Sequence, residues 1–282
     1  MTISEKFASL LASIQPSHQE DAALDDARQQ LTTFFTQQVE TARLLPIGSY
    51  SRGTAIAGNA LDLLQVISRK DATWGGLLTN SNTVLANLRE HLALCEQTEL
   101  REDNAALVIT YKSGAQINLI PGYYSGPGPS NYPIYQIPNG AGSWISASPA
   151  SHDDFIESAD RRAHARLKPT IQLLKYWSQC RISDVPLNSF QLEVALASSG
   201  VCVSPADCSE CVAEALAELA ARAPVGVAGL IPASATLEQR AAVTGALVSC
   251  SDHAARALRA QHDGLPDEAH RQWSLVFNAK FP

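Results

Sequence analysis

No apolar run in the chain approaches the ~20 residues that a membrane-crossing helix needs, so none is expected. A surplus of positive charge is missing as well: 21 Lys and Arg stand against 28 Asp and Glu, a formal net charge of −7. Neutralising a phosphate backbone takes clustered cations. A constitutive nucleic-acid or anionic-membrane surface is therefore not indicated, although a local basic groove fits inside an acidic whole. Residues 1–16 lack the basic-then-apolar layout of a secretory leader, which places the protein in the cytoplasm. Internal repeats, coiled-coil heptads and low-complexity tails are absent too.

What is present is material for a sizeable core: 282 residues with 45% hydrophobic content, enough for one large domain or two lobes. The chain is organised around residues 46–67, PIGSYSRGTAIAGNALDLLQVI. Gly48-Ser49 opens a turn in which backbone N–H groups and a small hydroxyl can approach an anion closely. The apolar run 61–67 then reads as a buried strand, with Asp62 inside it. A carboxylate in such a place is costly unless a metal, a cation or hydrogen bonds compensate it. The same residues also fit a glycine turn before an ordinary strand, with Asp62 at a solvent edge.

The order of the whole stretch resembles the nucleotidyltransferase signature, Gly-Ser followed by a short helix and a strand with Asp-x-Asp. With Arg52-Gly53-Thr54 in between, it is similar to the bacterial CD-NTases, relatives of cyclic GMP-AMP synthase. The resemblance implies an α/β, polymerase-beta-like nucleotidyltransferase core with a C-terminal helical lobe, divided at 1–150 and 151–282, and a nucleotide between them. It implies two Mg2+ ions on three carboxylates. The Asp-x-Asp pair aligns with Ala60 and Asp62, and the third carboxylate, on the strand QINLIP, aligns with Asn118. Asp62 is thus the catalytic and metal-binding residue expected to remain, with Ala60 and Asn118 as altered positions, Mg2+ weakly held and transfer impaired.

Along the chain, apolar spacing predicts helices over 3–14 and 22–39, the second with acidic residues near its start. A turn at 71–76 and a helix over 77–94 follow. Segments 105–111 and 116–121 read as a hairpin, and 122–150, rich in Gly, Pro, Ser, Asn and Tyr, as loop. Trp144 reads as a cap on the core. Mostly helix is expected from residue 153, with Pro169 kinking the helix 165–180 or sitting near its beginning. After a turn at 183–186, Asn188 or Ser189 is the N-cap of the next helix. Helices over 206–223, 237–261 and 268–277 complete the chain, with a loop at 224–235.

Two further positions follow from the resemblance. Lys175 stands in Leu-Leu-Lys-x-Trp, where the family lysine meets the triphosphate; Ser189 and Glu193 stand in its Ser-aromatic-x-Leu-Glu pattern. The nucleotide-binding set is then Gly48, Ser49, Lys175 and Ser189. As residues alone, Lys175 is equally a solvated charge, Ser189 a cap and Glu193 a structural acceptor. The implied substrates are nucleoside triphosphates and the product a cyclic or linear oligonucleotide acting on a downstream effector in antiphage defence. Two histories fit Ala60 and Asn118: an enzyme inactivated by substitution, or a natural pseudoenzyme that binds nucleotide, oligonucleotide or a partner protein without turnover. Separately, Cys208-x-x-Cys211 and Cys250-x-x-His253 have spacing that suits a zinc site, or equally small buried hydrophobes of alanine-rich helices. Cys95, Cys180 and Cys202 have no nameable partners.

Overall fold

The computed structural model describes residues 1–38, 43–93, 99–103, 105–182, 187–232 and 235–282. The turn expected at 183–186, Cys95 and Val39 lie outside the described residues. The chain forms two compact units, one of residues 16–154 and one of residues 1–15 with 155–282.

The first unit is built on a mixed sheet. Strands β1 (Arg43–Ile47), β2 (Leu61–Ile67), β5 (Glu99–Asp103), β6 (Ala106–Thr110) and β7 (Gln116–Pro127) stand in the order β1-β2-β7-β6-β5; β8 (Pro133–Pro138) adds to β7 and β9 (Trp144–Ala147) to β8. The β2–β7 pair is parallel and the others antiparallel. Successive strand side chains face opposite ways. Leu61 and Leu63 of β2 and Ile117 and Leu119 of β7 accordingly enter one buried cluster. Helix α2 (His18–Gln38) contributes Leu24, Leu31 and Phe35 to it, and α4 (Ser81–Leu92) contributes Leu85, Leu88 and Leu92. Asp62 and Asn118 have the opposite parity.

Several expectations change here. Residues 122–150 hold the end of β7, a 3-10 turn at Pro129–Asn131, and both β8 and β9. Their glycines are not all turn residues. At Gly122 an added Cβ would meet Leu64 Cδ1 and Ile137 Cγ2, each at 2.9 Å, so this glycine permits close packing inside a strand. The segment 71–78 forms a small antiparallel hairpin, β3 (Thr73–Trp74) with β4 (Leu77–Leu78). The helix foreseen from 77 therefore starts at Ser81, where Asn80 accepts a bond from the Asn82 N–H. Strands β1 and β5 lie outside the strands expected from sequence; both are short, with exposed or half-buried sides, and β5, ELRED, has no apolar run. Trp144 is half-buried; its indole N–H donates to the Thr79 carbonyl at 2.8 Å and its ring lies edge-on to Tyr123.

The second unit is helical. Helix α1 (Ile3–Ile14) belongs to it rather than to the sheet unit. The reason is its apolar face: Phe7, fully buried, sits 4.9 Å from both Trp273 and Phe281, ring to ring. The helix starts with a capping box between Thr2 and Glu5. Helix α5 (Pro149–Arg162) leads in, followed by α6 (Leu167–Arg181), α7 (Ser189–Ser199), α8 (Cys208–Leu230), α9 (Leu237–His262) and α10 (Pro266–Val276). Pro169 is in the first turn of α6, where its missing N–H costs nothing. The loop expected from 224 begins later, because α8 continues to Leu230. Buried Leu216 and Leu219 before position 224, and Leu230 after it, anchor both halves, so the proline does not end the helix. Among the described residues no helix is long and apolar enough to cross a membrane.

Candidate nucleotide-binding site

The site grows from the junction of β1 and β2. Antiparallel pairing sets Ile47 opposite Asp62, which brings Gly48, the next residue, against the aspartate side chain. Gly48 has φ +79°, and a Cβ there would overlap Asp62 Oδ2, with Asp62 Cγ only 2.9 Å away. Only glycine allows this turn to close over the carboxylate.

From Gly48 the chain makes a single helical turn, α3 (Gly48–Arg52), ended by Gly53 in the left-handed conformation. The half-buried Ser49 is its second residue, and its carbonyl accepts from the Thr54 N–H at 2.9 Å. Arg52 is buried and donates from Nη1 to Asp153 Oδ1 at 3.2 Å; the Ser51 hydroxyl donates to the same oxygen at 3.1 Å. Burial, with the Asp21 and Glu20 carboxylates nearby, pushes the Tyr50 phenol up to about 12, so it stays protonated, 3.5 Å from the Asn59 carbonyl. The turn is thus held from both sides. Arg52 is in the motif the sequence displays, but its partner Asp153 lies 101 residues away and carries no local signal.

Parallel pairing of β2 with β7 sets Asp62 beside Asn118. The Asn118 amide Nδ2 donates to Asp62 Oδ1 at 2.7 Å, and both residues are half-buried. Ala60 immediately precedes β2 and offers no ligand atom on its side chain. A magnesium ion wants hard oxygen ligands in near-octahedral array. Here the three positions supply one carboxylate, one amide whose N–H already points at that carboxylate, and a methyl group. This set does not fit a two-metal centre.

Lys175 and Ser189 belong to the helical unit. The Lys175 ammonium donates to Glu193 Oε1 at 2.7 Å, with side chains 5% and 0% exposed, so it is neither a solvated charge nor a bare cation. Ser189 is exposed at the start of α7; Asn188 is the N-cap, accepting from the Gln191 N–H at 3.1 Å. Of the residues singled out from sequence, Gly48, Ser49, Ala60, Asp62 and Asn118 come together in one unit, and Lys175, Ser189 and Glu193 lie in the other.

The zinc alternative finds no assembled ligand set. The Cys250 thiol donates to the Val276 carbonyl at 3.7 Å, and His253 Nδ1 lies 2.7 Å from Gln272 Oε1. Burial pushes the Cys208 thiol up to about 12, while a hydrogen bond with Cys202 holds the Cys211 thiol down. Among the described residues no three His, Cys, Asp or Glu side chains gather as a metal site.

A mixed sheet with a glycine-serine turn closing on a strand carboxylate, and a helical C-terminal lobe, is the architecture of polymerase-beta-like nucleotidyltransferases. Residues 1–159 match the family described as the Second Messenger Oligonucleotide or Dinucleotide Synthetase domain, SMODS, and the chain belongs to that family of CD-NTases. A curated relative, the cyclic AMP-AMP-AMP synthase of Escherichia coli strain MS 115-1, is 27% identical over 162 residues, 55% of this chain and 49% of its own. The matched segment thus spans about half the length of that relative. The structure of E. coli MS115-1 CdnC with ATP superposes with a TM-score of 0.71 at 20% identity, covering 99% of this chain and 98% of the other. The Bradyrhizobium diazoefficiens CD-NTase CdnG with GTP gives 0.70 at 12% identity, covering 98% of each chain. At these identities the likeness speaks for the fold.

Proposed function

We propose that this chain is a nucleotide-binding CD-NTase whose capacity for nucleotidyl transfer is severely impaired or lost. Membership of the family supports the parent activity, joining nucleoside triphosphates into a cyclic or linear oligonucleotide. The observation that carries the impairment is the 2.7 Å hydrogen bond from Asn118 to Asp62, beside Ala60. A carboxamide that donates to the remaining carboxylate occupies it with a positive N–H dipole where an active site would hold a cation. Removing one preorganised electrostatic contact costs on the order of 100- to 1,000-fold in rate, and here two positions lack charge.

In this reading Gly48 and Ser49 receive the phosphates, with Gly48 leaving room for close approach and Ser49 offering a hydroxyl. Arg52, through Asp153, keeps that turn in shape. Lys175 and Ser189 serve the nucleotide as the resemblance implies; for Lys175 this requires sharing its ammonium with Glu193. Cytoplasmic antiphage signalling through an effector that senses the product is the setting the family resemblance supplies. HORMA, found in complex with CdnC in the E. coli structure, exemplifies a protein partner there. A non-catalytic binding or regulatory role rests on the same hydrogen bond.

The experiment is calorimetric titration with each of the four nucleoside triphosphates, with and without Mg2+, on this chain and on the Ala60→Asp/Asn118→Asp form, together with pyrophosphate release. The expected result is binding by the chain without release, and magnesium-dependent affinity and release in the double variant. Binding without turnover in both forms selects the pseudoenzyme. No binding by either form sinks the nucleotide reading.

A further inference from the structure

Strand β2 carries a second polar side chain that the site above does not use. Gln65 lies three residues beyond Asp62, with the opposite parity, so it faces α2 and α4. It is 8% exposed among apolar neighbours, and its Oε1 is buried without a hydrogen-bond partner among the described residues. Such an atom costs about 1–3 kcal/mol when nothing satisfies it. Gln65 contributes to a cavity of about 400 Å3. Phe35 and Leu88 form apolar walls; Asp71, Asn87 and His91, all exposed, form a polar rim. The volume falls in the range of small-molecule sites, which combine apolar walls with a few convergent polar groups.

We propose that this cavity binds the base of a purine nucleoside. A glutamine carboxamide offers an acceptor and a donor side by side, the complement of the amino group and ring nitrogen on the edge of adenine. A carboxylate and a second carboxamide at the rim are the groups that match the donors and acceptors of guanine. Phe35 and Leu88 suit the ring faces. No lysine or arginine is among the described lining residues, so the ligand is a base or nucleoside rather than a polyphosphate.

The test is backbone and side-chain amide NMR of the whole chain, titrated separately with adenosine and guanosine, on the native form and on Gln65→Met and Asn87→Ala. The first variant preserves volume while removing the carboxamide; the second changes an exposed position, which keeps the test valid if the first folds poorly. Expected are shifts of the Gln65 and Asn87 side-chain amides and affinity about tenfold weaker in Gln65→Met, as the loss of one or two hydrogen bonds gives; which nucleoside binds identifies the base. The proposal is overturned if neither nucleoside moves those signals at millimolar concentration while Gln65→Met raises the melting temperature, the behaviour of an unsatisfied core oxygen or one holding only an ordered water. Shifts confined to Gly48 and Ser49 overturn it equally. Those two residues report the nucleotide site when ATP is added, so the failure of one site is distinguishable from that of the other.

Discussion

The two units compensate their key carboxylates in opposite ways. In the helical unit Glu193 is fully buried and receives a cation, Lys175, at 2.7 Å. In the sheet unit Asp62 is half-buried and receives a neutral amide, also at 2.7 Å. The first arrangement closes an ion pair inside a core; the second sets an amide against a carboxylate at a partly open face. Structural charges are buried in pairs because an unpaired one is too costly. A carboxylate retained at a half-open position with an amide against it is not sealed off as the buried pair is.

The sharpest way to break this comparison is Lys175→Met. It leaves the Glu193 carboxylate buried, and removal of one partner from such a pair costs about 3–5 kcal/mol. Urea denaturation should show that loss, and Lys175→Met/Glu193→Leu should recover most of it. A loss below about 1 kcal/mol, the range of surface pairs, would mean that Lys175 leaves Glu193 easily and is free to serve a phosphate.

On the sheet side, Gly48→Ala puts a Cβ into the Asp62 carboxylate at a backbone φ of +79°. A left-handed non-glycine residue costs about 1–2 kcal/mol, and displacement of Asp62 adds to it. Triphosphate affinity should fall along with stability. Asn118→Asp is subtler. It replaces the amide donor with a second carboxylate, and like charges disfavour one another by about 1 kcal/mol at a half-exposed site. The variant should melt lower than the native chain in EDTA and regain that loss in millimolar Mg2+, while the native chain shows no such dependence. An equal response of both forms to Mg2+ would erase the distinction drawn here.

The sequence made the helical periodicities plain, and α1 matches its expected span. It also showed the motif residues of the site, because Gly48, Ser49 and Asp62 lie within 15 positions of each other. It did not show strands whose apolar pattern is broken by proline and glycine for packing reasons, as at Pro121-Gly122. Nor could local pattern show that Phe7 belongs with Trp273 and Phe281, or that Lys175 is paired with Glu193. Those are tertiary choices of large rings and buried charges, invisible in a window of one element. The hydrogen bond from Asn118 to Asp62 was likewise hidden, although the resemblance placed the two residues at one site.

The smallest expected effect belongs to a third carboxylate. Glu268 lies in the first turn of α10, on the surface, and accepts at 2.8 Å from both Nε and Nη2 of Arg271, one edge of the guanidinium, and at 2.7 Å from Gln272. These bonds, with Arg271 foremost, hold its carboxyl down to about 2 from an ordinary 4.5. The folded state therefore binds a proton less readily than the unfolded one, so the contribution to stability is complete above the unfolded value of 4.5 and is lost as pH falls through about 2. Solvent screens such pairs, so Glu268→Gln should be only slightly less stable than the native chain above the unfolded value, and the difference should vanish as pH falls toward about 2. Carboxyl carbon NMR across that range reads the titration directly. A midpoint near the ordinary value would show that the Arg271 fork does not persist in solution. A marked stability loss at neutral pH would put this exposed carboxylate in the class of Glu193 and remove burial as the variable that separates the charges.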